Sequence, residues 1–253
     1  MYFDTHAHYD DEQFDIDRDE LLASMPASGV SLIVNPASNL DSCRKVLEIA
    51  NKFPFVYAAV GVHPHDAKEM DDDSIGLIRD MAKNEKVVAI GEIGLDYHYD
   101  LSPRDVQKKR FYQQLELARE LKLPVIIHER EACQDTMDII TQFKNLKGVV
   151  HCFSGSWETA QQILDMGWYI SFTGAVTFKN AKKAPEVAAK MPIDRLMLET
   201  DSPYMAPVPL RGRRNDSRNL PYIAETIAQL RGITREEVAA TTLENGKKFF
   251  GIE

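Results

Sequence analysis

Three cysteines in 253 residues are too few for a disulfide framework, and Cys43, Cys133 and Cys152 are odd in number and far apart, which fits a reducing compartment. No apolar run is long enough for a membrane helix, and the N-terminus lacks both the basic start and the apolar stretch of a signal peptide, so a soluble, cytoplasmic chain is expected. Positive charge is short too. Against 39 Asp and Glu there are 30 Lys and Arg, a net charge of -9, so nothing draws the whole molecule to nucleic acid. A polyanion would have to be held by a local patch or by bound cations. There is no internal repeat, low-complexity stretch or linker, and 44% hydrophobic content suffices for one full core. Residues 1-253 are therefore expected to form a single domain.

Short apolar runs alternate with longer amphipathic ones. Strands are expected over Tyr2 to His6, Ser31 to Asn35, Val56 to Val62, Val87 to Glu92, Pro124 to His128, Gly148 to Cys152, Trp168 to Phe172 and Arg195 to Thr200. Helices are expected over Ile16 to Ser28, Leu40 to Lys52, Ser74 to Asn84, Pro103 to Leu121, Glu131 to Lys144, Trp157 to Met166 and Ala181 to Lys190, with two more after the last strand. The acidic run Glu69 to Asp73 reads as a solvated helix entry with Asp73 or Ser74 as N-cap. Runs such as Val-Val-Ala-Ile suit a parallel sheet covered on both sides. Eight strands alternating with helices point to an α/β fold of the TIM type, a (β/α)8 barrel, whose reacting groups sit at the C-terminal strand ends.

All seven histidines fall at or just past such an end: His6 and His8, His63 and His65, His98, His128, His151. Histidines scattered through core and surface would not sort in this way. His6 and His8, one residue apart, share a strand face and form either half of a metal site or a hydrogen-bonded pair. Glu92 in AIGEIG and Asp201 in LETDSP add carboxylates at other strand ends. Their alternative readings are a strand end satisfied by backbone donors and a helix N-cap. Four imidazoles and two carboxylates exceed what one tetrahedral ion needs and suit two divalent cations. In this reading His6, His8 and Asp201 hold one ion, His128 and His151 the other, and Glu92 spans both. Asp201 also accepts the proton of an attacking water, which makes Asp201 and Glu92 the catalytic pair. Glu199 shares Asp201's face by alternation and supports it, whereas Cys152 is turned away from His151 and packs as a small apolar group.

The motifs FDTHAH, GVHPH, GEIGLDYH, HCFSG and LETDSPY, with a closing Asn-Gly-x-x-x-Phe, resemble the TatD family of metal-dependent deoxyribonucleases in the amidohydrolase superfamily, in order from residue 3 to about 250. The resemblance implies a (β/α)8 barrel that hydrolyses phosphodiester bonds in DNA, commonly as a 3′ to 5′ exonuclease, with His6, His8, Glu92, His128, His151 and Asp201 as metal ligands. It also favours an active-site place for His63, for which a histidine held by the turn at Pro64 is the alternative; His65 and His98 are weaker candidates. Ser154 and Gly155, with Arg211 and Arg213 from the one dense basic loop, are candidate donors to substrate phosphates; the alternative for those arginines is pairing with surface carboxylates. Imidazoles suit zinc or nickel as bound ions, while related nucleases are described as magnesium-dependent, so magnesium or manganese is expected to support activity. DNA should bind weakly and with little sequence specificity, with no membrane and no required protein partner. The competing reading is a hydrolase of a lactone, amide or small phosphoester on the same barrel.

Overall fold

In the computed structural model, which describes residues 1-253, eight strands bond to one another in chain order and all in parallel. They are β1 (Tyr2–Asp4), β2 (Val30–Pro36), β3 (Val56–Val60), β4 (Val87–Asp96), β5 (Val125–Arg130), β6 (Gly148–Val150), β7 (Tyr169–Phe172) and β8 (Leu196–Leu198). Around them stand α1 (Arg18–Ser24), α2 (Leu40–Lys52), α3 (Ser74–Met81), α4 (Arg104–Leu121), α5 (Cys133–Ile140), α6 (Trp157–Asp165), α7 (Lys183–Lys190), α8 (Leu220–Arg231) and α9 (Arg235–Phe250). This is the expected (β/α)8 barrel, and no helix is long and apolar enough to cross a membrane.

The ring closes beyond the formal ends of β1 and β8. Thr5 N–H donates to Leu198 O at 3.1 Å, Asp201 N–H to His6 O at 2.9 Å, and His8 N–H to Ser202 O at 2.7 Å. The seam thus joins residues 6–8 directly to residues 201–202. Beneath it lies Asp4, fully buried, whose carboxylate accepts from Thr200 N–H at 2.9 Å, Thr200 Oγ1 at 2.5 Å and Ser217 Oγ at 2.6 Å. Burial pushes this carboxyl up to about 7 although those donors pull it down.

Most element ends lie within a few residues of expectation. The main departure is β4, which continues past Glu92 to Asp96. Ile90 pairs with Val125 but Ile93 with Ile127, so two residues, Gly91 and Glu92, face one on β5, and after this bulge the ladder resumes. Gly94 permits the close approach: at φ +152°, an added Cβ would lie 1.9 Å from His128 O. At the opposite end α9 plugs the barrel, its Phe249 and Phe250 packing on Phe3, Tyr169 and other inward side chains. Gly246 lets it in, since a Cβ there would meet the Phe3 ring at 2.5 Å. Helix starts show smaller differences. α2 has a full Asn39/Ser42 capping box; at α3 Asp73 takes the expected N-cap position, but its side chain makes no capping bond and the N–H of Ser74 goes to Asp71 Oδ1 at 2.9 Å instead.

Replacing Asp4 by Ala would strand two buried hydroxyls and a backbone N–H at the seam. A loss of about 3 kcal/mol in urea unfolding is expected, and a loss under about 1 kcal/mol would show that the seam does not depend on Asp4.

Candidate metal centre

The bulge in β4 aims Glu92 into the barrel mouth, where its two oxygens face different partners. Oε2 lies 3.2 Å from His6 Nε2 and 3.5 Å from His8 Nε2. Oε1 lies 2.7 Å from His128 Nδ1, 2.7 Å from His151 Nε2 and 3.5 Å from His63 Nε2. Asp201 approaches the first group only, with Oδ1 at 3.5 Å from His8 Nε2 and 3.8 Å from His6 Nε2. The six residues expected as ligands therefore converge, and they fall into two sets on either side of one carboxylate.

Burial and charge set the protonation of the metal-free centre. Burial favours the charged form of neither His8 nor His151. Even so, hydrogen bonds to Asp201 and Glu92 hold His8 well above the usual imidazole range, and the charges of Glu92 and Glu199 do the same for His151. His6 and His63 are held below that range by burial and by neighbouring imidazoles. Glu92 is buried, but the surrounding histidines keep it well below the ordinary carboxylate range.

Such a donor set fits cations. His6 Nε2 and His8 Nε2 stand 3.1 Å apart, and His128 Nδ1 and His151 Nε2 stand 3.3 Å apart. Two imidazole nitrogens this close repel as bare lone pairs, so a proton or a metal ion has to lie against them. On the far side of the rings, His6 Nδ1 and His151 Nδ1 are buried without a hydrogen-bond partner. His6, His8 and Glu92 bring one ligand atom each within 4.8 Å of one another, and so do His63, Glu92 and His128.

The other candidates are placed unevenly. Glu199 backs His151 rather than Asp201: Oε1 is 3.4 Å from His151 Nδ1 and accepts from Cys152 N–H at 2.6 Å, while Oε2 accepts from Ser171 Oγ at 2.6 Å. Alternation is not what positions these residues, because β6 ends at Val150 and β8 at Leu198, and both Cys152 (φ 46°) and Asp201 (φ 54°) turn into the left-handed region. Cys152 is only half-buried, with Sγ 3.4 Å from Thr173 Oγ1. His98 lies outside, paired with Glu131 at 2.8 Å.

A cavity of about 680 Å³ opens above the centre, and His63, His65 and Asp201 line it. Ser154, Gly155, Arg211 and Arg213 are not on its wall. Ser154 and Arg213 are exposed, Gly155 sits against the Phe153 ring, and Arg211 lies over Phe178, 4.1 Å from the ring centroid. The neighbours Arg214 and Arg218 pair with Asp17 and Asp216, the surface pairing raised as the alternative for this loop. Sequence reasoning missed Asp96, and it passed over Arg130, which lines the cavity. Asp96 is fully buried and bridges His128 Nε2 and His65 Nε2, each at 3.0 Å. Its signal was its place in GEIGLDYH, four residues after Glu92, hidden by ending the strand too early.

Residues 3–251 match the family model described as TatD related DNase. The chain belongs to the TatD family. This TatD-family chain is 45% identical to the uncharacterized metal-dependent hydrolase YabD of Bacillus subtilis over the full length of both. It is 37% identical to the 3′-5′ ssDNA/RNA exonuclease TatD of Cronobacter sakazakii, covering 98% of this chain and 97% of that one. The crystal structure of the TatD homolog YjjV from Escherichia coli superposes with a TM-score of 0.93 at 31% identity, covering 100% of this chain and 98% of the other. The TatD-family chain is thus a metal-dependent hydrolase.

The protonation pattern predicts how metal binding responds to pH. Because His8 and His151 are held above their usual range, the metal-free centre carries protons near neutrality that a cation must displace. Zinc affinity should therefore rise with pH between 6 and 8. Calorimetry in buffers of different ionisation heat should show at least about one proton released per chain at pH 7. Zinc binding without proton release would contradict this charge state.

Proposed function

We propose that this chain hydrolyses phosphodiester bonds in a nucleic acid strand, DNA in the first place, removing nucleotides from the 3′ end with two divalent cations. The observation that carries the reading is the split of Glu92, one oxygen toward His6 and His8 and the other toward His128 and His151, at the floor of an open cavity. Cations held by those sets would supply Lewis acidity that makes water a nucleophile near neutral pH. Zinc and nickel suit the imidazoles, and magnesium or manganese would support turnover.

The residues around the centre have distinct tasks in this reading. Asp201 borders both His8 and the cavity, so Oδ1 can ligate while the carboxylate takes the proton of the attacking water. Glu92 keeps the two sets in register. Glu199 and Asp96 fix the rings of His151 and His128 from behind, as carboxylates behind metal-bound histidines do. His63, with Nε2 3.5 Å from Glu92 Oε1, stands beside the second set and faces the substrate. Ser154, Gly155, Arg211 and Arg213 lie too far out for the reacting phosphate and would serve the strand beyond it.

Relatives named as ssDNA/RNA exonucleases support a single strand as substrate. The net charge of -9 argues for weak engagement with little sequence preference. A lactone or amide substrate is less well served, since the cavity wall is largely histidine and carboxylate, with Tyr99, Leu101, Tyr204 and Met205 its apolar members.

The test is digestion of 3′-labelled and 5′-labelled single-stranded oligonucleotides by metal-stripped protein refilled with magnesium, manganese or zinc, beside Asp201→Asn. Stepwise release from the 3′ end, reduced at least about a hundredfold in the variant, is the expected result. No cleavage with any ion would remove the nuclease reading and send the search to other bonds.

A further inference from the structure

Among the residues lining the cavity, Arg130 is the single Lys or Arg, and no ion pair in the molecule includes it. The acids that line the same cavity are already engaged. Asp10 accepts from Asn35 at 3.3 Å, Asp11 from Tyr204 Oη at 2.7 Å, and Asp66 from Asn39 at 3.0 Å. Glu131, next to Arg130 in sequence, is taken by His98. An exposed guanidinium with no carboxylate partner on so acidic a chain is a ready anion receptor.

Its position is defined by the strand and by a ring. Arg130 ends β5 two residues after His128, so alternation sets both side chains on one face. The guanidinium lies over the Tyr99 ring at 4.7 Å from its centroid, and Tyr99 in turn meets His65 edge-on at 5.3 Å. Strand order puts this β4–β5 side across the barrel from β8, β1 and the acids Asp10 and Asp11. Within the cavity, an anionic chain that reaches the metal centre therefore meets its one unpaired cation on this side.

We propose that Arg130, steadied by Tyr99, is a binding subsite for the phosphate next to the scissile one. The inference rests on the phosphodiesterase reading and sharpens it: the substrate carries a second phosphate one nucleotide from the cleaved bond. A strand with consecutive phosphates is thereby favoured over an isolated phosphodiester. Arg130 touches substrate without touching the reacting atoms, and Tyr99 is a positioning residue.

The test uses the metal-loaded protein and two thymidine dinucleotides joined by a hydrolysis-resistant methylphosphonate, one with a free 5′ hydroxyl and one with a 5′ phosphate. Calorimetry should show the 5′ phosphate tightening binding at least about tenfold in the wild type and in Tyr99→Phe, which keeps the ring, but less than about twofold in Arg130→Gln. Tyr99→Ala should fall between. In parallel, Arg130→Gln should leave kcat/KM for bis(p-nitrophenyl) phosphate, which has no neighbouring phosphate, within about twofold of wild type while raising KM for oligonucleotides. An undiminished phosphate effect in Arg130→Gln, or equal losses on both substrates, would overturn the subsite and leave the phosphodiesterase reading standing. If the wild type binds neither dinucleotide and cleaves neither substrate, both fall together.

Discussion

One carboxylate, Glu92, organises the mouth of this barrel. It is buried among histidines and keeps its charge only because they surround it. In the metal-free protein those same histidines need its charge, since their nitrogens crowd to within 3.1–3.3 Å of one another. Removing it would leave several close imidazoles with no counter-charge in a buried place, which is why every other feature of the mouth reads as support for its geometry.

That support comes from far apart in the chain. The bulge at Gly91 and Glu92 turns the side chain inward, and Gly94 lets β4 and β5 stay paired beyond it. The closing seam carries His6, His8 and Asp201 on bonded segments, so completing the ring of strands and assembling one half of the centre are the same event. Asp4 ties that seam to Thr200 and Ser217 from below. Glu199 and Asp96 stand behind His151 and His128. Each depends on the parallel barrel bringing strand ends to one rim.

Much of this was legible in the sequence because strand ends and ligand types coincide: the sorting of histidines to strand ends, with Glu92 and Asp201, marked the six residues that converge. Alternation failed where regular strand stops. Cys152, Glu199 and Asp201 lie past the ladder, two of them at positive φ, so a two-residue period does not describe their directions. Asp96 was hidden because the strand was expected to end at Glu92, whereas β4 runs on past the bulge with Gly94 permitting the close approach to β5. The arginine loop lies off the cavity wall for another reason. Arg211–Arg218 is dense in charge, yet Arg214 and Arg218 are engaged at the surface and Arg211 and Arg213 lie off the cavity, whereas a single arginine two residues after His128 lies within it.

The central claim is that Glu92 is shared between two cation sites. Its most direct test is a crystal structure of the zinc- or manganese-loaded protein, with the ions located by their anomalous scattering. The account predicts two ions about 3.5–4 Å apart, each bonded to a different oxygen of Glu92. A single ion at full occupancy, or two ions of which only one touches Glu92, would contradict it.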